Sequence, residues 1–384
     1  MNKNIILLAL FMIMTIDSSF WLISKTTGTS RIVLTAIVII ILLIFSVARI
    51  NKKNTIFCIL LCTCAIASGA LFGNLKQTMI FMACLVAGYL FTCFVDRNRM
   101  EHLYIDIIYF IACFSLITWG INLSFPKLIT IFPFIINREG ISFYNAFFSV
   151  LNDNAYVCRN YGPFWEPGAF SIFLNIGIYL MLFKEQNFNY KKIFILTATI
   201  LSTLSTLGII CNIILFIAFY PESLKKMNIK IRILFWIVII IGLGYCIFIN
   251  DRLIFHVFEK LKFSDINTAN ASTKVRLLAL IEPMKEIIKS PLYGIGMADF
   301  LILQEEKCHN MATFTQINWI CVYGIPFGIC LVYGEIRYFM LKKGGTMTTF
   351  LLILFSILLF STENFLMITF IYTLVFYGLK PRTE

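Results

Sequence analysis

Apolar residues in this chain come in long unbroken runs, not in alternation with polar ones. The runs fall near 4–23, 31–48, 55–73, 77–95, 104–123, 167–183, 231–249, 314–338, 346–361 and 363–379. A helix needs about 20 mostly apolar residues to cross the hydrocarbon layer of a membrane. Only helices and closed barrels satisfy the backbone there, and continuous runs favour helices over the ten-residue alternation of a barrel. The first run lacks a small-residue cleavage site and is followed by further runs, so it reads as a first transmembrane helix and not as a signal peptide.

A further run at 193–219 reads either as one long tilted span or as a tight hairpin. Lys184, Lys191 and Lys192 precede it, and Lys225, Lys226, Lys230 and Arg232 follow it. Basic residues collect on the cytoplasmic side of a membrane. If both flanks lie inside, the run must enter and return. The small, polar stretch from Ser202 to Gly208 suits the turn, which favours the hairpin, with arms shorter than a full span that neighbouring helices would shelter. The pattern therefore predicts an all-α, polytopic membrane protein with about 12 membrane segments and both termini cytoplasmic. Residues 1–384 form a single membrane domain, with two long polar segments, about 124–166 and about 250–313, on the outer face.

Composition agrees with this picture. Of 384 residues, 59% are hydrophobic and only 14% charged, and the mean hydropathy is +0.86. Both a soluble globular enzyme and a disordered chain are excluded. The net charge of +12, from 32 Lys+Arg against 20 Asp+Glu, would by itself suggest nucleic acid. Nearly all of the excess falls in the predicted inner segments, so it reads as an orientation signal and no nucleic-acid partner is expected. One short outer loop, with Lys25 and Arg31, runs against the rule. Most of the twelve cysteines lie in predicted spans, where Cys behaves as a small apolar residue. Cys158 and Cys308 lie in the outer segments, either as a disulfide in an oxidising compartment or as two thiols. The sequence shows no zinc-spaced Cys pair, GxSxG, P-loop or HExxH, and neither cofactor nor metal is expected.

Candidate chemistry gathers in the two outer segments. The first carries Arg138 and Glu139 and ends in the run from Arg159 to Phe170, RNYGPFWEPGAF. Pro167 suits the first turn of a helix, which puts Glu166 at that helix's N-terminal edge. Glu166 reads as a helix cap between the interfacial aromatics Tyr161 and Trp165. It reads equally as a carboxylate held with Arg159 at the membrane surface, where the arginine fork suits phosphate. The second outer segment opens with an amphipathic stretch, 252–263, which includes His256. Then Ser272 or Thr273 is placed to cap a helix with Arg276 in its first turn. Pro283 predicts a kink or break there, and the run from Ser290 to Gly296, SPLYGIG, reads as a turn. The segment closes with Cys308, His309 and Asn310. His309 reads as a surface residue or as a proton-transfer group near neutral pH. Asp17, inside the first span, and Glu363 with Asn364, at an outer turn, are lesser candidates.

These pieces together resemble the superfamily of bacterial O-antigen polymerases (Wzy-type) and O-antigen ligases. The stretch GPFWEPGAF, ending at Phe170, is similar to the polymerase branch, and Ser202 to Gly208 to its Ser/Thr-rich hairpin. The run from Ser272 to Arg276 with SPLYGIG resembles the start of the large outer loop. His309 and Asn310, followed by the run from Tyr323 to Gly328, resemble its end. The resemblance covers about 150–330 and implies a GT-C-like membrane glycosyltransferase in the bacterial inner membrane. It implies polymerisation of undecaprenyl-pyrophosphate-linked repeat units on the outer face, for O-antigen, capsule or exopolysaccharide. Membrane lipid and a chain-length regulator protein are the partners it suggests. The implied catalytic residues are His309 and Arg276, with Glu166 as rival or partner base. Arg159, Arg138, Tyr161, Trp165 and Asn310 would bind pyrophosphate and glycan. Where many relatives carry an Arg in the hairpin, this chain has Thr206, and Arg159 or Arg138 is placed to supply that charge. The alternatives are a ligase, which shares the reaction, and a lipid-linked oligosaccharide flippase, which would be expected to show repeat symmetry and polar residues near the bilayer midplane.

Overall fold

The computed structural model describes residues 3–15, 28–45, 50–73, 75–136, 142–152, 159–185, 189–223, 271–308, 313–341, 344–361 and 363–380. The predicted span at 231–249, the amphipathic stretch at 252–263 and Asp17 lie outside them. The described chain is mostly helical. In order come α1 (Lys3–Thr15), α2 (Gly28–Phe45), α3 (Lys52–Leu71), α4 (Leu75–Phe94) and α5 (Arg97–Ser124). They are followed by α6 (Pro167–Phe183), α7 (Tyr190–Thr203), α8 (Thr206–Ser223), α9 (Ala271–Lys289) and α10 (Gly296–Lys307). The last four are α11 (Thr315–Tyr323), α12 (Ile325–Phe339), α13 (Thr346–Leu359) and α14 (Thr369–Leu379).

Among the described residues three helices are long and apolar enough to cross a membrane: α3, α4 and α5. Large apolar side chains stay exposed on α2 and α3, including Leu43, Ile44, Ile56, Ile59 and Leu60. A contiguous apolar face of this kind is costly in water and suits lipid. The opposite faces join one continuous core that runs from Ile6 of α1 to Tyr377 of α14. Helix α5 begins at Arg97, well before the predicted start at 104. Its polar first turns are satisfied internally, which a hydropathy window cannot see. Arg97 Nε donates to Glu101 Oε1 at 2.7 Å and its Nη2 to the Tyr338 carbonyl at 3.0 Å.

The fold departs from an all-α expectation in one place. Within the predicted outer segment at 124–166, a 3₁₀ turn at Pro126–Ile131 leads into a three-stranded antiparallel sheet. Its strands are β1 (Phe134–Ile136), β2 (Ser142–Asn145) and β3 (Val150–Asn152), in the order β1-β2-β3. Phe143 and Val150 on one face pack against Tyr161 and Trp165, so the sheet backs the stretch that leads into α6.

The run at 193–219 is a hairpin. The helix breaks at Leu204, which takes the left-handed conformation at φ 51°. Gly177 of α6 packs against Leu196 of α7, while Ser171 meets Ser205 at 3.3 Å, so α6 and α7 run antiparallel. Asn175 donates to the Gly208 carbonyl at 2.9 Å, and the rings of Phe183 and Phe219 lie 5.6 Å apart, so α6 and α8 run parallel. The two arms therefore return to the same end. Gly208 allows this contact, because a Cβ there would strike Ser171.

The predicted single span at 314–338 is instead two helices folded on each other. A Cβ on Gly328 would lie 2.9 Å from the Ile320 backbone. Glu335 Oε1 accepts from Gln316 Nε2 at 3.1 Å and from Ser356 Oγ at 2.7 Å. In a straight helix Gln316 and Glu335 would be roughly 28 Å apart. The reversal sits at Gly324, φ 89°. There Ile325 donates its N–H to the Pro291 carbonyl at 2.7 Å, and Ile295 donates to the Cys321 carbonyl at 2.9 Å. The SPLYGIG turn and the turn at 323–325 are thus clasped main chain to main chain. Helix α9 is continuous through Pro283, where a break was expected. Arg276 lies in its second turn, because the helix already begins at Ala271.

Candidate active site

The stretch before α6 is pinned to the α7–α8 turn. Asn160 donates from Nδ2 to Ser202 Oγ at 3.0 Å and Ser115 Oγ at 3.2 Å, and its own N–H bonds the Ser202 carbonyl at 3.0 Å. Its Oδ1 accepts from the Gly162 N–H at 3.0 Å, and Gly162 turns the chain at φ 52°. This seats Arg159 on the C-terminal end of α7, where Nε donates to the Thr203 carbonyl at 2.9 Å. A helix C-terminus carries partial negative charge and unpaired carbonyls, which suits a guanidinium. Arg159 thus occupies the hairpin turn, where the sequence itself has Thr206.

Glu166 is the residue before α6, with extended backbone and Pro167 at N1, yet its side chain makes no capping hydrogen bond. The carboxyl of Glu363 lies near enough to feel the charge of Glu166. Glu363 lies outside both α13 and α14, in the irregular segment between them. Two contacts fix that segment. Thr315 Oγ1 donates to the Glu363 carbonyl at 2.6 Å, and the same Oγ1 accepts from the Phe365 N–H at 3.0 Å. Trp165 Nε1 donates to Glu363 Oε2 at 3.3 Å, and its ring packs edge-on against Phe365 at 6.0 Å. Gly168 leaves room for the carboxyl, since a Cβ there would come within 2.8 Å of Glu363 Oε1.

Arg276 of α9 completes the group, close enough for its charge to act on both Glu363 and Arg159. It is solvent-exposed, whereas Glu363 is 8% exposed. Burial, and then the neighbouring charge of Glu166, push the Glu363 carboxyl well above the ordinary carboxylate range. The Trp165 N–H and Arg276 act the other way. Burial lowers the Arg159 guanidinium, opposed by Glu166 and Tyr161 and assisted by Arg276. Among the described residues no direct ion pair joins either arginine to either carboxylate. The cations and the acids are within reach of each other's fields but not in contact.

Of the residues expected at the site, Arg159, Tyr161, Trp165, Glu166 and Arg276 are brought together. His309, Asn310, Arg138, Glu139 and Cys158 lie outside the described residues. Cys308 is a buried free thiol whose Sγ meets the Leu278 carbonyl at 3.8 Å. Among the described residues no three His, Cys, Asp or Glu side chains gather as a metal site would need. Sequence reasoning gave Glu363 little weight and missed Asn160, Thr203 and Thr315. The available signal was a lone acid in a long apolar run, since a buried charge needs partners. A scan against protein-family models finds no match, and a search of curated proteins finds none either.

Proposed function

We propose that this protein polymerises undecaprenyl-pyrophosphate-linked oligosaccharide repeat units on the outer face of a bacterial inner membrane. In this reading it is a multi-pass protein with about 12 membrane segments, a GT-C-like architecture and both termini cytoplasmic. The observation that carries the reading is the Trp165–Glu363 hydrogen bond, which brings the stretch holding Arg159 and Glu166 to Glu363, with Arg276 near enough for its charge to act on Glu363 and Arg159. Both long polar segments contribute to it. The resemblance of RNYGPFWEPGAF to the polymerase branch supports the same assignment.

The chemistry uses these groups as follows. A sugar hydroxyl of one lipid-linked unit attacks the anomeric carbon of another, and the bond to the lipid pyrophosphate breaks. Negative charge develops on the leaving group, and Arg159 and Arg276 stabilise it. The attacking hydroxyl loses its proton to a general base, with His309 and Glu166 the two groups suited to it. Tyr161 and Trp165 offer aromatic faces and polar edges to the glycan. Neither a nucleotide sugar nor a metal enters the step.

The test is chain lengthening in a host that lacks its own polymerase. Arg276→Ala and His309→Ala, at unchanged membrane abundance, should leave single repeat units. Wild-type-length glycan in both variants overturns the assignment. Transfer of finished glycan to another acceptor, with no lengthening, overturns polymerisation in favour of a ligase.

A further inference from the structure

The hairpin of β2 and β3 does not stay clear of the membrane helices. Asn122, near the Ser124 end of α5, donates from Nδ2 to the Asn152 carbonyl at 3.2 Å, so the close of β3 lies level with that end. At the start of β3 the ring of Phe148 packs edge-on against Phe110 at 5.2 Å and Phe114 at 5.5 Å. It also meets Phe11 of α1 at 5.8 Å. Phe110 and Phe114 stand in the middle of α5, roughly 12–18 Å along the helix from Asn122. The hairpin therefore runs down the side of a helix long and apolar enough to cross a membrane, and its tip ends near the middle of that helix. We propose that the β2–β3 hairpin is inserted in the bilayer, with the ring of Phe147 lying among phospholipid acyl chains.

The tip is built for hydrocarbon. Phe147 is 67% exposed and takes a positive φ of 64°. Such a backbone suits Gly or Asn and is uncommon for a bulky side chain. Neither the turn nor the core calls for a phenylalanine there, whereas surrounding lipid does. The exposed ring continues the apolar surface that Phe110, Ile117 and Ile121 leave open on α5. From Glu139 to Asp153 the chain carries no charged residue between those two.

The backbone follows the same rule. Hydrocarbon offers no partner to a bare N–H, so each must be satisfied within the protein. Asn145 donates its N–H to the Pro133 carbonyl, Ala146 to the Ser149 carbonyl and Phe148 to the Ala146 carbonyl, each at 2.9 Å. The Phe147 N–H donates to Asn145 Oδ1 at 2.9 Å, and the Val150 N–H to the Gly162 carbonyl at 2.7 Å. A tip standing in water would have solvent for these groups. The insertion stands apart from the polymerase reading. It takes part of the segment read as an outer loop into the membrane, along with the sheet face that backs Tyr161 and Trp165.

Two measurements test this. Phe147→Trp replaces one exposed ring by another. The full chain carrying it is reconstituted in vesicles of phosphatidylcholine and phosphatidylglycerol, and its emission is compared with that of wild type. The added indole should emit at short wavelength and lose most of its intensity to lipids brominated on the acyl chain. Aqueous acrylamide should leave it unchanged. Quenching by acrylamide alone puts the tip in water, and quenching by both puts it at the headgroups; either overturns the insertion. Quenching by neither puts a protein surface over the ring and overturns it as well. In the second measurement p-benzoylphenylalanine stands at position 147 in the same vesicles. On irradiation its ketone takes a hydrogen from a nearby C–H, and the two carbons join. The adduct should fall on phospholipid acyl chains. An adduct that forms only after a polyprenyl phosphate is added assigns the surface to a polyprenyl tail and overturns the proposal.

Discussion

Trp165 Nε1 donates to Glu363 Oε2 at 3.3 Å across 198 residues of chain. The bond ties the entrance of α6 to the segment between α13 and α14. Trp165→Phe keeps most of the ring packing on Phe365 and removes the donor. Leaving a buried acceptor unpaired costs about 1–3 kcal/mol. Thermal unfolding in detergent should show a loss in that range, and Trp165→Phe at wild-type stability would show that the bond is not made.

Glu363 also links stability to pH. Its folded-state proton affinity is raised, so its contribution is fully present below the unfolded carboxylate value of about 4.3. It is lost as pH rises through the raised folded value. Wild type should therefore melt at lower temperature on the alkaline side. Glu363→Gln should flatten that dependence and melt higher than wild type at alkaline pH. Parallel curves for the two proteins across the range would count against the assignment.

Gly324 reverses the chain between α11 and α12 at φ 89°, and a Cβ there would strike the Leu292 carbonyl. Gly324→Ala should cost about 2–4 kcal/mol, from backbone strain and overpacking together. Gly120, inside α5, has nothing near the place of a Cβ. Gly120→Ala should be neutral or stabilising by up to about 1 kcal/mol. Membrane abundance and unfolding midpoint separate the two, and equal effects would refute the fold-back.

Orientation is open to a direct reading. A reporter fused after Ser290 should give an extracytoplasmic signal, because Gly296, at the end of the turn, packs with Phe72 at the end of α3 opposite Lys52 and Lys53. A cytoplasmic signal would invert the topology and remove the site from the outer face.

Local chemistry made some of this fold legible and left the rest hidden. Pro167 and an unbroken apolar run marked α6 at both ends, and the structure has it at Pro167–Phe183. The Ser/Thr run flanked by lysines marked the hairpin, since both turn composition and charge pointed the same way. The fold-back at Gly324 escaped, because hydropathy measures how apolar a run is and not whether it reverses. A single glycine with positive φ leaves no trace in such a sum. The strands at 134–152 escaped for a related reason: three or four residues are too short for a period to show. Glu166 was legible as a residue at a helix edge, but the acid near it was not. Glu363 comes to this end of α6 through Trp165 and through the docking of α11 on the segment after α13, contacts between parts of the chain that no local pattern connects.

The clasp between the turns at 291–295 and 321–325 is made by main-chain groups alone. The exposed side chain at Pro291 is therefore free to drift, whereas Ile295 and Cys321 also pack into the core and must stay apolar, and proline is barred at 295 and 325, where the N–H is needed. What cannot drift is Gly294 and Gly324, each at positive φ and each pressed against the other turn's backbone. Two glycines at a fixed separation, set among interchangeable apolar residues, are what would mark a distant relative of this chain when overall identity has decayed.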